Sequence, residues 1–195
     1  KKLMIVSFLE GKAKQNLSPA NCKSIGTEVA KMHDLTKNLK LKRRNDLSIK
    51  SWRNLFDAVK DKCTKIHKDL PKLIEENLSD VEKNWPKDLP KGIIHADLFH
   101  DNIFFIQDKF SGIIDFYFSC EDFFSFEIAI CFNALCFDGR TKNLSFNVTK
   151  AKNFIDGYTS IRKLTDEEKN NIKVLSQGAA LRFLLTRVFD AINIV

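Results

Sequence analysis

The run His95-Ala96-Asp97-Leu98-Phe99-His100-Asp101-Asn102-Ile103, followed closely by Ile113-Ile114-Asp115-Phe116, carries most of what this chain says about itself. It sets an Asp and an Asn near each other after one apolar stretch, and a second Asp at the end of the next. Transfer of a phosphoryl group from a nucleotide uses such a set. One carboxylate takes the acceptor hydroxyl's proton, while an amide oxygen and another carboxylate hold magnesium. Magnesium prefers hard oxygen ligands and is usually held by one or two carboxylates plus substrate phosphates. Taken singly, Asp97 serves equally well as a cap or turn residue, and Asn102 as a turn residue. Asp115 stands between Gly112-Ile113-Ile114 and Phe116-Tyr117-Phe118, where a carboxylate is costly unless paired or metal-bound. Two strands joined by a short connection bring all three side chains to one end of a hairpin.

Outward from this centre the chain changes character. From Gly92 to Phe118 it is apolar, β-branched and aromatic in short bursts, which predicts strands at Gly92–Ile94, Ile103–Ile106 and Gly112–Ile114. Residues 107–111 form the hairpin connection between the last two. Before it, helical spacing predicts three helices. The first runs over Pro19–Leu39 on Cys22, Ile25, Val29 and Met32. The second runs over Ser51–His67 on Trp52, Leu55, Phe56, Val59, Cys63 and Ile66, with Ser48 or Ser51 as its cap. The third starts near Asp69 with Pro71 in its first turn. After it come a strongly apolar, buried helix over Phe124–Phe137 and two more helices, near Val148–Ile161 and Asp166–Ile194. Leu3–Leu9, then Glu10-Gly11, reads as a strand ending in a turn. A lone strand makes no sheet, so further chain is expected before Lys1.

Composition sets the outer bounds. The 195 residues suit one domain, or a large lobe with a remnant of another, and 44% hydrophobic content fills a core. Phe occurs 17 times against 2 Tyr and 2 Trp, so the core is expected to be rich in Phe. The net charge is +7, but Lys is spread along helical stretches with Asp and Glu between. The densest cluster, residues 40–44, is short and lacks interleaved aromatics. A solvated basic surface that suits an anionic nucleotide therefore outweighs a nucleic-acid footprint. Five scattered Cys without CxxC or zinc spacing point to reduced, mostly buried thiols. No apolar run approaches a membrane span, and the expected location is the cytoplasm.

With these residues in view, His95-Ala96-Asp97 through Asn102, then Ile114-Asp115-Phe116, resembles the catalytic core of the aminoglycoside phosphotransferase and choline kinase group, small-molecule kinases with a protein-kinase-like fold. Further stretches, among them residues 6–11, 44–48, 112–120, 128–134 and 178–187, resemble the homoserine kinases of that group. The resemblance implies an α+β fold, mainly the helical C-terminal lobe with a small catalytic β-hairpin. Residues 1–11 would be the hinge-strand remnant of the N-terminal lobe and residues 12–195 the catalytic lobe. It implies ATP and Mg2+ as cofactors and L-homoserine as the acceptor. Asp97 would be the catalytic base, with His95 bracing its loop. Asn102 and Asp115 would be the metal ligands, and the backbone around Ser7, Phe8 and Leu9 would meet adenine. Glu127 stands where an Asp is usual and would brace the loop. Neither a Gly-rich loop nor a phosphate-binding Lys is evident, so the chain alone is expected to turn over little or not at all.

A zwitterionic acceptor needs a cation for its carboxylate and an acceptor for its ammonium. Arg182 and Arg187 are the candidate cations, with an internal ion pair to Asp190 or another buried acid as the bland alternative. Asn45 and Asp46 could face the amino group or cap the following helix. Asn133 could reach the site or satisfy a backbone carbonyl. His100 is a weak candidate for touching the acceptor or the phosphate, whereas His33, His67 and Trp52 are ordinary helix-face or core residues. Other acceptors (choline, ethanolamine, a sugar, an aminoglycoside) and a non-catalytic remnant stay open. The pattern fixes no oligomeric state.

Overall fold

The computed structural model describes residues 7–139 and 143–193. Helix α1 (Pro19–Thr36) starts where Ser18 accepts a hydrogen bond from the Asn21 N–H while the Asn21 side chain accepts from the Ser18 N–H. Such a reciprocal cap satisfies donors that helix geometry leaves free. Helix α2 (Ile49–Val59) is shorter than its apolar stripe predicts. At Lys60 the hydrogen bonding tightens into a 3-10 turn through Lys65, which keeps the stripe buried to Cys63 and leaves Ile66 half-exposed. Ser48 occupies the N-cap position without a side-chain bond, and Ser51 instead donates to the Ser48 carbonyl. Helix α3 (Leu70–Asn84) carries Pro71 in its first turn.

Among the described residues there are seven short strands: β1 (Lys12–Ala13), β2 (Lys91–Ile94), β3 (Ile103–Ile106), β4 (Lys109–Ile113), β5 (Cys120–Phe123), β6 (Phe137–Asp138) and β7 (Ser145–Phe146). All pair antiparallel, as β1-β3-β4, β2-β5 and β6-β7. The β3–β4 connection is tighter than expected. Strand β4 begins at Lys109, and Gln107 turns the chain with φ +56°. Strand β5 was not anticipated, because Glu121 and Asp122 interrupt its apolar pattern. Of the expected strand Leu3–Leu9, residues 3–6 lie outside the described residues. Residues 7–9 are irregular, with the Phe8 side chain 90% exposed, so no strand forms there.

Helix α4 (Phe124–Leu135) is largely apolar on all sides because it is shared between two cores. One face (Phe126, Ala129, Ile130) joins Trp52, Ile74, Leu78, Leu175 and Leu185 from α2, α3 and α6 (Asp166–Asn193). The other (Ile128, Cys131, Leu135) joins α1, the hairpin and α5 (Val148–Thr159). Helices α1 and α5 meet at paired glycines. A Cβ on Gly26 would lie 2.1 Å from the Phe154 carbonyl oxygen, and one on Gly157 would lie 2.0 Å from that of Lys23. His33, expected on an ordinary face, is fully buried. It hydrogen-bonds the Tyr158 hydroxyl at 2.7 Å and stacks on Phe124. All five Cys are free and buried, as their spacing suggested.

Candidate active site

Strand β2 ends at Ile94, and the chain turns sharply at Ala96, whose φ is +65°. A left-handed residue other than Gly is strained by roughly 1–2 kcal/mol, so its surroundings must hold it. They do. The buried Glu127 carboxylate of α4 accepts the backbone N–H groups of His95 and Ala96, the latter at 2.9 Å. From α6, the Arg182 guanidinium donates to the Ala96 carbonyl. Burial pushes the Glu127 carboxyl above the ordinary carboxylate range, while the adjacent His95 ring, the two N–H donors and the Arg182 charge oppose that rise.

His95 ties the two halves of the motif together. Its Nδ1 accepts from the Asp97 N–H at 3.2 Å, so the proton resides on Nε2, which donates to the Ile114 carbonyl at 2.8 Å. One ring thereby links the residue that carries Asp97 to the residue before Asp115. Asn102 closes the loop. Its Nδ2 donates to the Asp97 carbonyl at 2.9 Å, and its own carbonyl accepts from the Ile114 N–H at 3.0 Å. With Nδ2 engaged inward, Oδ1 is the free end of the amide.

Asp97, Asn102 and Asp115 line one cleft of about 640 Å³, together with Arg182, Arg187, Asp190 and His100. Burial raises the half-buried Asp97 carboxyl above its ordinary pKa, and the Arg182 guanidinium works against that rise. Asp115 departs from its expected setting. It is not buried in an apolar stretch but exposed, because it leaves β4 with φ +60° and Phe116, Tyr117 and Phe118 beyond it are exposed too. Its carboxylate takes one long bond, from the Tyr117 N–H at 3.4 Å. Among the described residues no group of three His, Cys, Asp or Glu could hold a metal unaided. The Asn102 and Asp115 oxygens nonetheless form a hard, oxygen-only set of the kind that shares a cation with phosphate.

The remaining candidates divide. Arg182 is 2% exposed and has no carboxylate within ion-pair distance among the described residues, so the pairing with Asp190 does not occur. Arg187 is exposed on the cleft wall. Asn45 and Asp46 lie not on the main cleft but on an adjoining cavity. Asn45 is committed at both ends, its Nδ2 donating to Asp122 at 2.6 Å and its Oδ1 accepting from Leu47 N–H at 2.9 Å. Asn133 satisfies a backbone carbonyl, that of Ser176, at 2.8 Å. Asp122 was overlooked. Its place beside Glu121 in a short polar break was the available signal. Ser7, Phe8 and Leu9 do not line the cleft, and Leu9 packs against Gly112 of β4.

With this geometry in hand, known proteins give a consistent picture. A model of the Phosphotransferase enzyme family matches residues 2–163. The chain is 42% identical to a homoserine kinase of Mesorhizobium japonicum over 98% of its own length and 59% of the relative's. It is 43% identical to one of Parvibaculum lavamentivorans over 97% and 58%. It therefore spans a little under three fifths of the curated relatives it matches. Among solved structures, an ethanolamine kinase of Plasmodium vivax superposes with a TM-score of 0.65 at 17% identity, covering 98% of this chain and 61% of that one. The amicoumacin kinase hAmiN, solved with AMP-PNP and Ca2+, superposes with a TM-score of 0.63 at 14% identity, covering 97% and 57%. At such identities the likeness is one of fold, and it matches the helical lobe of the expected protein-kinase-like architecture.

Proposed function

Because this chain belongs to the phosphotransferase enzyme family, we propose that it forms the catalytic lobe of an ATP-dependent kinase for the side-chain hydroxyl of L-homoserine. The observation that carries the proposal is the convergence of Asp97, Asn102 and Asp115 on one cleft, with backbone bonds fixing all three relative to one another. Asp97 orients the acceptor hydroxyl and takes its proton as the bond to phosphorus forms. Its raised pKa suits that task, since a base poised nearer neutrality transfers protons more effectively. Asn102 Oδ1 and Asp115 would hold Mg2+, which supplies neutralising charge to the phosphates when bound. His95 acts by position, not by chemistry of its own, because both ring nitrogens are engaged with backbone.

The assignment of L-homoserine rests on the curated relatives and on the cations bordering the cleft, Arg182 and Arg187. Choline and aminoglycoside acceptors are cations and call for acidic or aromatic walls instead. Adenine is assigned to the backbone around Ser7, Phe8 and Leu9, and residues 1–11 to the link towards a nucleotide-covering lobe, on the resemblance alone. A coupled ADP-release assay on the complete gene product, run with Mg2+ and L-homoserine, choline, ethanolamine or an aminoglycoside, tests the reading. Selective turnover of L-homoserine supports it. Turnover of another acceptor rejects the substrate and keeps the kinase, and folded protein silent on all four rejects both.

A further inference from the structure

Beside the main cleft lies a second cavity of about 240 Å³, and the two share Leu47, Phe118 and Arg182 as a common wall. Its other walls include Arg43, Arg44, Asn45 and Asp46. Arg182 is 2% exposed, yet its Nε has no hydrogen-bond partner among the described residues. The carboxylates of Asp97, Glu127 and Asp122 favour its charge from a distance, but none pairs with it directly among the described residues, so Nε is left to a further anion. At the rim, Arg43 lies over the Tyr117 ring at 5.9 Å, while Arg44 and Asp46 are exposed and make no ion pair among the described residues. Asn45, with both amide ends committed, is wall and not ligand.

We propose that this side chamber binds the head group of the acceptor, an α-amino acid, with its carboxylate on Arg182 and the rim arginines and its ammonium on Asp46. The inference rests on the kinase reading above and adds where the acceptor lies. The side chain then extends past Arg182 and Phe118 into the cleft that holds Asp97. A chamber of this size takes a short amino acid, and three guanidinium groups beside one carboxylate repel a purely cationic acceptor. Arg187 borders the main cleft but not the chamber, so the carboxylate is not assigned to it.

The experiment measures acceptor kinetics of the complete gene product with L-homoserine, with L-homoserinol (no carboxylate) and with γ-hydroxybutyrate (no ammonium). Wild type should prefer L-homoserine to either analogue by about 100-fold or more in kcat/KM. The double variant Arg43→Gln/Arg44→Gln should narrow the gap to L-homoserinol at least about tenfold. It should raise KM for L-homoserine far more than KM for ATP. Asp46→Asn should narrow the gap to γ-hydroxybutyrate in the same way. Active variants with wild-type preferences would overturn the chamber assignment and leave the kinase standing. Wild type that turns over no L-homoserine would overturn the homoserine reading and the chamber assignment with it.

Discussion

From the middle of α6, the buried Arg182 guanidinium donates to the carbonyl of Ala96, the residue immediately before Asp97. Glu127 takes the N–H of the same residue from α4. The two peptide groups flanking the left-handed Ala96 are thus held from opposite helices, and Asp97 is aimed by contacts that it does not itself make.

Replacing Arg182 with Met should therefore separate stability from activity. Met keeps much of the buried volume and removes a charge that burial disfavours, which offsets the lost donor to the Ala96 carbonyl. Thermal melting should stay within about 4 °C of wild type, the spread that about 1 kcal/mol produces in a domain of this size. The kcat should fall at least about tenfold, because the Ala96 carbonyl loses its donor and Asp97 its guide. A large drop in melting temperature with kcat retained would show that Arg182 serves packing alone.

Asp97→Asn keeps the shape of the side chain and removes its basicity. In the complete enzyme kcat should drop by about 10²–10⁴-fold, the usual worth of a positioned base, with KM values changed only a few-fold. A kcat near wild type, followed by ADP release, would remove Asp97 from the role of base.

Asp115→Ala should abolish the dependence of nucleotide affinity on Mg2+ while leaving the far-ultraviolet spectrum intact, since Asp115 is exposed and makes one weak backbone contact. Calorimetric titration with ATP, with and without Mg2+, reads this directly. Equal Mg2+ enhancement in variant and wild type would exclude Asp115 as a ligand.

His33 predicts a pH dependence of stability. Burial, reinforced by the nearby Arg162 charge, lowers its pKa to about 3, below the ordinary value of about 6.5. The folded state thus favours the neutral ring. Its contribution is complete above about pH 6.5 and is lost as pH falls from there towards 3. Between about pH 7.5 and pH 5, wild type should lose about 2 kcal/mol of unfolding free energy that His33→Gln does not lose. Urea unfolding at both pH values checks it, and equal slopes for the two proteins would mean that His33 does not titrate on unfolding.

How far the sequence foretold this arrangement depended on the range of the interaction. Apolar periodicity carried the helices, and the all-round apolarity of Phe124–Leu135 carried its burial. Asp97, Asn102 and Asp115 were legible as a set because their spacing alone brings them to the foot of a hairpin. Partners distant in the chain were not legible. Asn45 looked like a free ligand because its partner Asp122 lies on a strand that its own acidic residues disguise. Arg182 invited pairing with Asp190, less than three helical turns on, whereas Ala96, the group it meets, lies 86 residues away. Asp115 was judged buried from its apolar neighbours, but Phe116, Tyr117 and Phe118 are themselves exposed.

The glycine contact between α1 and α5 has a mechanical side. Helix α1 touches both arms of the motif. At its N-terminal end Asn21 reaches the Asp108 carbonyl at the tip of the hairpin, and at its C-terminal end Thr36 donates to the Ile93 carbonyl on the strand leading to Asp97. It works as a strut between the arms. At Gly26 and Gly157 the backbones of α1 and α5 press directly on each other, with the Thr27 hydroxyl beside Gly157. Side chains can change rotamer and cushion a displacement, whereas bare backbone cannot. The strut is therefore seated on an incompressible bearing. Sideways thermal drift of α1, which would slide the two arms past each other, is resisted by hard contact rather than by adjustable packing.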